Sequence, residues 1–201
     1  MTVIGITGGS GSGKSTLSAL LSEEFDALAL DADKIYHELL ETSADMRDAL
    51  VSAFGPGILS EGKICRKALA AVVFADEGAL AQLNAITHPR VTDEIVHRMK
   101  ETDKAVCSID AFGLIQSGMH RICDHTVGVL ADREVRIRRI MARDGLDEVR
   151  AAARIDAQAP EEFYRTHCNT LLVNNGSAEQ FREDCRRFCR KLLGKDTIDH
   201  E

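Results

Sequence analysis

The chain has no tryptophan, only three prolines and an aromatic fraction of 4%. A core without large rings must be filled by aliphatic side chains, so short runs of Val, Ile and Leu mark its strands and buried helix faces. Positive charge is also scarce: 25 Lys and Arg stand against 32 Asp and Glu, a net charge of −7 at pH 7. A general nucleic-acid binder needs a broad cationic surface, so that class is set aside and any phosphate site must be local. No apolar run approaches the roughly 20 residues that cross a bilayer, and the first residues read as a strand rather than a secretion signal. Neither a membrane contact nor a protein partner is implied. Six cysteines, at 65, 107, 123, 168, 185 and 189, form no CxxC pair, which fits free thiols in a reducing cytoplasm. His120, Cys123 and His125 carry zinc-ligating groups, but the second ligand pair of a zinc finger is missing.

A length of 201 residues suits one domain carrying an insertion and is too short for two full domains. Five apolar segments, Thr2–Thr7, Ala27–Asp31, Ala105–Asp110, Thr126–Ala131 and Thr170–Asn174, alternate with helical patterns. Such runs are strands buried on both faces, and their alternation with helices predicts an α/β fold: a five-stranded, mostly parallel sheet with helices on both faces. Two stretches break the alternation. Residues from about 33 to 101 read as a helical insertion, interrupted at Phe54-Gly55-Pro56-Gly57, Glu61-Gly62 and His88-Pro89; residues from about 133 to 165 read as a helical lid. Asp132 and Gly145 are positioned to start and stop the Arg-rich helix. Ser177 with Gln180 forms a capping box for the last helix, where Phe181, Cys185, Phe188 and Leu192 share one face.

Gly8-Gly9-Ser10-Gly11-Ser12-Gly13-Lys14-Ser15 matches GxxxxGK[ST] at every specified position, between an apolar strand and an amphipathic helix. Backbone N–H groups of Gly9, Gly11, Ser12, Gly13, Lys14, Ser15 and Thr16 would cradle the phosphates of ATP, with the positive end of the helix behind them. Lys14 would reach the β- and γ-phosphates, and the Ser15 hydroxyl would ligate Mg²⁺. This is the P-loop fold, a single kinase domain over 1–201, and the acids beyond it must identify the acceptor. Asp31 and Asp33 end the second strand, where ligands of open parallel sheets bind. Asp33 would take a hydroxyl proton and Asp31 assist the metal, directly or through water; alternatively Asp33 only caps a helix starting at Lys34. Asp110, ending an apolar strand, is a second candidate for orienting Mg²⁺ through water. Asp110-Ala111-Phe112-Gly113 also fits the DxxG of nucleotide switches, although no NKxD guanine reader exists. In the Arg-rich helix, Arg139 and Arg143 at i and i+4 point one way and are assigned to the transferred phosphate, whereas Arg136 and Arg138 are read as a solvated face.

The chain resembles the bacterial dephospho-coenzyme A kinases nearly from end to end. The resemblance rests on Ile4-Gly5-Ile6-Thr7-Gly8-Gly9 through Lys14-Ser15-Thr16, then Asp31-Ala32-Asp33, then Phe54-Gly55, Arg66, Leu69, Val73-Phe74, Leu83-Asn84 and His88-Pro89 in order and spacing. Arg139 through Arg143-Asp144-Gly145, Arg154-Ile155 with Gln158, and Asn174-Asn175-Gly176 complete it. It implies Mg²⁺-dependent transfer of phosphate from ATP to the ribose 3′-hydroxyl of dephospho-coenzyme A, the last step of coenzyme A biosynthesis. Asp33 would then be the base and Arg139 the lid arginine at the transferred phosphate. Arg143, Asn175 and Gly176 would serve ATP, while Arg66, His88 and Pro89 would shape the acceptor pocket beside Asp33. A Glu that the family usually carries after the third strand is Gln116 here, so no role is transferred to that position. The alternatives are another small-metabolite kinase of this fold or a nucleotide-dependent switch.

Overall fold

The computed structural model describes residues 1–74 and 76–194. In chain order the elements are β1 (Thr2–Thr7), α1 (Lys14–Phe25), β2 (Leu28–Asp31), α2 (Ala32–Thr42), α3 (Ala44–Phe54), β3 (Leu59–Ser60), β4 (Lys63–Ile64), α4 (Arg66–Val73) and α5 (Glu77–Lys100). They continue with β5 (Val106–Asp110), β6 (His125–Leu130), α6 (Arg133–Asp144), α7 (Glu148–Asp156), α8 (Glu161–His167), β7 (Thr170–Val173) and α9 (Ala178–Leu192). Two compact units result, one from residues 1–30 with 104–201 and the other from residues 31–103.

The first unit is built on a five-stranded sheet in the order β2-β5-β1-β6-β7. β1 pairs in parallel with β5 and β6, and β6 with β7. The expected fold class is therefore present, with each strand boundary within a residue of its expected place. Alternation along the strands assigns the faces. Ile4, Ile6, Val127 and Val129 meet Leu17, Leu20 and Leu21 of α1 and Phe181, Cys185 and Cys189 of α9 in one apolar cluster. Gly5, between the two isoleucines, turns the other way, where a Cβ would stand 2.7 Å from both Cys123 Sγ and Leu114. Tyr164 of α8 covers Gly128 on that same side. The shared buried face of Cys185 and Cys189 leaves both as free thiols.

In the second unit α2, α3 and α4 pack on the 24-residue α5. Ion pairs Arg90–Asp45 and Arg98–Glu38 tie α5 to α3 and α2. Two expectations are corrected here. His88-Pro89 does not interrupt a helix: α5 runs through Pro89. Buried Leu83, Val91 and Ile95 anchor both sides of the proline, and the Arg90 guanidinium donates to Ile86 O at 2.8 Å beside it. Packing thus outweighs the missing N–H. Nor is the insertion wholly helical, since β3 and β4 form a two-residue antiparallel ladder around Glu61-Gly62. Both turn residues have positive φ, 51° and 78°. Glu is not a residue that advertises such a turn. Among the described residues, no helix is long and apolar enough to cross a membrane.

Candidate phosphate-binding site

β1 delivers the chain into the loop Gly8–Gly13, and α1 leaves it at Lys14. No side chain caps α1, so its first N–H groups and its positive end face the loop. Gly13 has φ 109°, and a Cβ there would lie 2.3 Å from Asn174 Nδ2, so only glycine lets the loop turn this close to the end of β7. Lys14 Nζ donates to Gly8 O at 3.0 Å, and Thr16 N donates to Gly13 O at 3.0 Å. Ser15 is exposed in the first helical turn. The buried Ser12 hydroxyl has no hydrogen-bond partner among the described residues, and Ser12 N donates to Gly9 O at 3.2 Å.

Two arginines of α6 reach the loop. Arg139 donates to Gly11 O at 3.2 Å and to Asn174 Oδ1 at 3.0 Å, and Asn174 Nδ2 in turn donates to Ser12 O at 2.8 Å. Arg136 donates through Nε to Ser10 O at 2.9 Å and through a terminal nitrogen to Gln158 Oε1. Gln158 also accepts from Ser10 N at 3.0 Å and donates to Ser10 Oγ at 2.8 Å. Arg136 is therefore part of the loop's surroundings and not of a solvated face. Burial presses the pKa of both arginines downward from the ordinary guanidinium value, yet arginine stays protonated. The acceptors that these two arginines meet, Ser10 O, Gln158 Oε1, Gly11 O and Asn174 Oδ1, are all neutral carbonyl oxygens. Arg90, Arg98, Arg133 and Arg186, by contrast, each meet a carboxylate. Two partly desolvated positive charges beside an uncapped helix end, paired with no carboxylate among the described residues, give this loop surface a positive field suited to an anion.

Arg143 does not join Arg139. It pairs with Asp144, which also holds Arg154. Asn175 Oδ1 accepts from Asp132 N at 2.7 Å, so the start of α6 is tied to the segment after β7 without the expected Asp132 side-chain cap. Asn175 and Gly176 are exposed, and Gly176 is followed by the Ser177 cap of α9, whose Oγ accepts from Gln180 N at 3.1 Å. Asp110, half-buried, lies opposite Ile6 across β1 and β5.

In the second unit, capping falls to Asp31 rather than Asp33. The helix begins at Ala32, and Asp31 accepts from Lys34 N at 3.0 Å with the Lys34 ammonium 3.7 Å away. Asp33 stands exposed in the first turn of α2. A cavity of about 480 Å³ opens beside α2 and α4, lined by Tyr36, His37, Arg66, Lys67, Phe74 and Leu83 among others. Its walls are mainly apolar, and Arg66 and Lys67 are its two cations. Arg66 belongs to it; His88 and Pro89 do not line it. His88 is half-buried within α5, and that burial holds its pKa below the usual imidazole value.

Comparison with known proteins gives a consistent picture. The sequence model of the dephospho-CoA kinase family matches residues 2–180. A dephospho-CoA kinase of Geobacter sulfurreducens is 39% identical over 184 residues, covering 90% of this chain and 93% of the relative. A crystal structure of a Thermus thermophilus protein superposes with a TM-score of 0.79 at 32% identity, covering 98% of each chain. The structure of a dephospho-CoA kinase from Campylobacter jejuni superposes with a TM-score of 0.70 at 26% identity, over 97% of this chain and 98% of that one.

Proposed function

The chain belongs to the dephospho-coenzyme A kinase family, and on that premise we propose how its own residues carry the reaction, transfer of the γ-phosphate of ATP to the ribose 3′-hydroxyl of dephospho-coenzyme A. This is the final step of coenzyme A biosynthesis. The observation that supports the reading most is the pair Arg136 and Arg139, held over the glycine loop by neutral acceptors among the described residues. Backbone N–H groups of Gly9, Gly11, Gly13, Lys14 and Ser15 take the phosphates, the Lys14 ammonium moves from Gly8 O to the β- and γ-phosphates, and Arg139 stabilises charge on the transferred group.

Ser15 and Asp110 offer hard oxygen donors of the kind Mg²⁺ prefers, one at the mouth of the loop and one at the end of the adjoining strand β5. These two residues would hold the ion, which would supply positive charge against the charge that develops on the phosphates. Asp31 is occupied as the cap of α2 and is left out of the metal set. Asp33, relieved of capping, is the general base that takes the ribose hydroxyl proton. Arg66, lining the mainly apolar cavity, supports binding of the acceptor, an anionic molecule with a long organic arm. Asn175 and Gly176 border the adenine, with Arg143 reaching ATP only after release from Asp144.

The test is Asp33→Asn. We expect turnover of dephospho-coenzyme A to fall by about 100- to 10,000-fold, with ATP affinity by calorimetry unchanged. Near-normal turnover would remove Asp33 from the chemistry. The same assay over a panel of hydroxyl acceptors checks the acceptor.

A further inference from the structure

Ser10 occupies a position that the GxxxxGK[ST] pattern leaves open, yet its backbone N–H, its hydroxyl and its carbonyl are all engaged from the lid. Gln158 accepts from Ser10 N and donates to Ser10 Oγ, while Arg136 donates to Ser10 O and to the same Gln158 oxygen. The orientation of the Gln158 amide is fixed by this network, because reversing it would aim its NH₂ group at two donors. Gln158 follows α7, with its N–H bonded to Ile155 O at 3.0 Å. Ile155 and Ala151 bury themselves against Ile137 and Ile140 of α6. The amide is therefore carried on the same packed helix pair that carries Arg136.

Gly9 records the same arrangement independently. Its φ is not positive, so backbone conformation alone does not demand glycine. A Cβ at that position would stand 2.2 Å from an Arg136 terminal nitrogen and 2.8 Å from Gln158 Oε1. The residue is small because the Arg136–Gln158 pair lies over it.

We propose that Gln158 is a positioning residue for phosphoryl transfer: its neutral carboxamide holds Arg136 and Ser10 in register while leaving the arginine's charge available to the ATP phosphates. A carboxylate at 158 could accept the same hydrogen bonds from Ser10 N and Arg136, and the Ser10 hydroxyl would turn to donate to it. It would, however, neutralise Arg136 and repel the nucleotide. The amide thus supplies geometry without cancelling the field. This rests on the reading of Gly8–Ser15 as the ATP phosphate site.

The experiment compares wild type, Gln158→Glu, Gln158→Ala and Gly9→Ala by steady-state kinetics and thermal melting. Gln158→Glu should melt at or above wild type, through the new Arg136 ion pair, while KM for ATP rises about tenfold, a loss equivalent to roughly 1.4 kcal/mol. Gln158→Ala and Gly9→Ala should share a different signature, a kcat reduced about tenfold with a smaller change in KM, because both displace Arg136 without adding charge. Wild-type KM in Gln158→Glu would overturn the proposal, as would a melting point well below wild type in that variant. Should Gln158→Ala fail to fold, Gln158→Glu alone decides. Failure of wild type to bind ATP in calorimetry would instead remove the underlying site.

Discussion

A guanidinium drawn into a half-buried site keeps its attraction for an anion only if its acceptors are neutral, since a carboxylate neighbour cancels the field it projects. Arg139 meets that condition at Gly11 O and Asn174 Oδ1, whereas Arg143, one turn on, is bound to Asp144. Arg139→Ala should therefore lower kcat by about 100- to 1,000-fold and Arg143→Ala by less than about tenfold, with melting curves measured alongside to separate chemistry from folding. Equal losses would mean that Arg143 leaves Asp144 when nucleotide arrives. Helical periodicity places residues 136, 139 and 143 on one stripe but does not say which end of the stripe meets the loop. That choice is made by Ser10, 126 residues from Arg136, and by Asn174 at the end of β7. Gln158 was legible only as part of a family pattern, because a neutral amide after a helix carries no chemical signal of its own. The glycine loop was legible outright, its spacing being dictated by the phosphates it must surround.

At the scale of elements, the five sheet strands were readable to within a residue, while the caps of α2 and α6 were not: Asp31 rather than Asp33 caps α2, and Asp132 caps nothing with its side chain. α5 continues through Pro89 because buried residues on both sides hold it, and the β3–β4 ladder is too short to show alternation. The link between α6 and α7 has a polar part as well as an apolar one. Arg143 and Arg154 both bind Asp144 and hold its carboxyl at about 2, below the ordinary 3.8. A depressed carboxyl pKa stabilises the folded state fully above the unfolded value, and that contribution is lost as pH falls through the folded one. The tie should hold down to about pH 4 and fade only as pH approaches 2. Titration of the Asp144 carboxyl carbon by NMR, in wild type and in Arg154→Ala, reads this directly: the variant should titrate closer to the ordinary value. A wild-type midpoint near 4 would mean that these pairs do not persist in solution.

Across the molecule, the cysteines follow the same logic of burial. Burial lifts the thiols of Cys107, Cys123, Cys185 and Cys189 to about 12 and that of Cys168 to about 11, so their thiolate forms are scarce near neutrality. Cys65 stands partly exposed at the start of α4. A thiol reagent at pH 8 should modify Cys65 first and the other five only after denaturant is added; mass spectrometry of the adducts identifies the order, and early labelling of Cys185 or Cys189 would show that α9 opens readily. The aliphatic core inferred from the missing tryptophan is the one that forms, built on Ile, Leu and Val from β1, β6 and α1.

The same absence makes the protein its own optical instrument. Without tryptophan to drain excitation energy, emission comes from Tyr36 and Tyr164, the only two tyrosines. Tyr36 lines the cavity of one compact unit, and Tyr164 packs within reach of the charge of Arg136 in the other. Addition of ATP should alter the Tyr164 signal and leave Tyr36 as a separate indicator of the acceptor. In Tyr36→Phe the response to ATP should persist while the response to dephospho-coenzyme A disappears, so the filling of each unit can be followed by emission intensity, in solution and without a label.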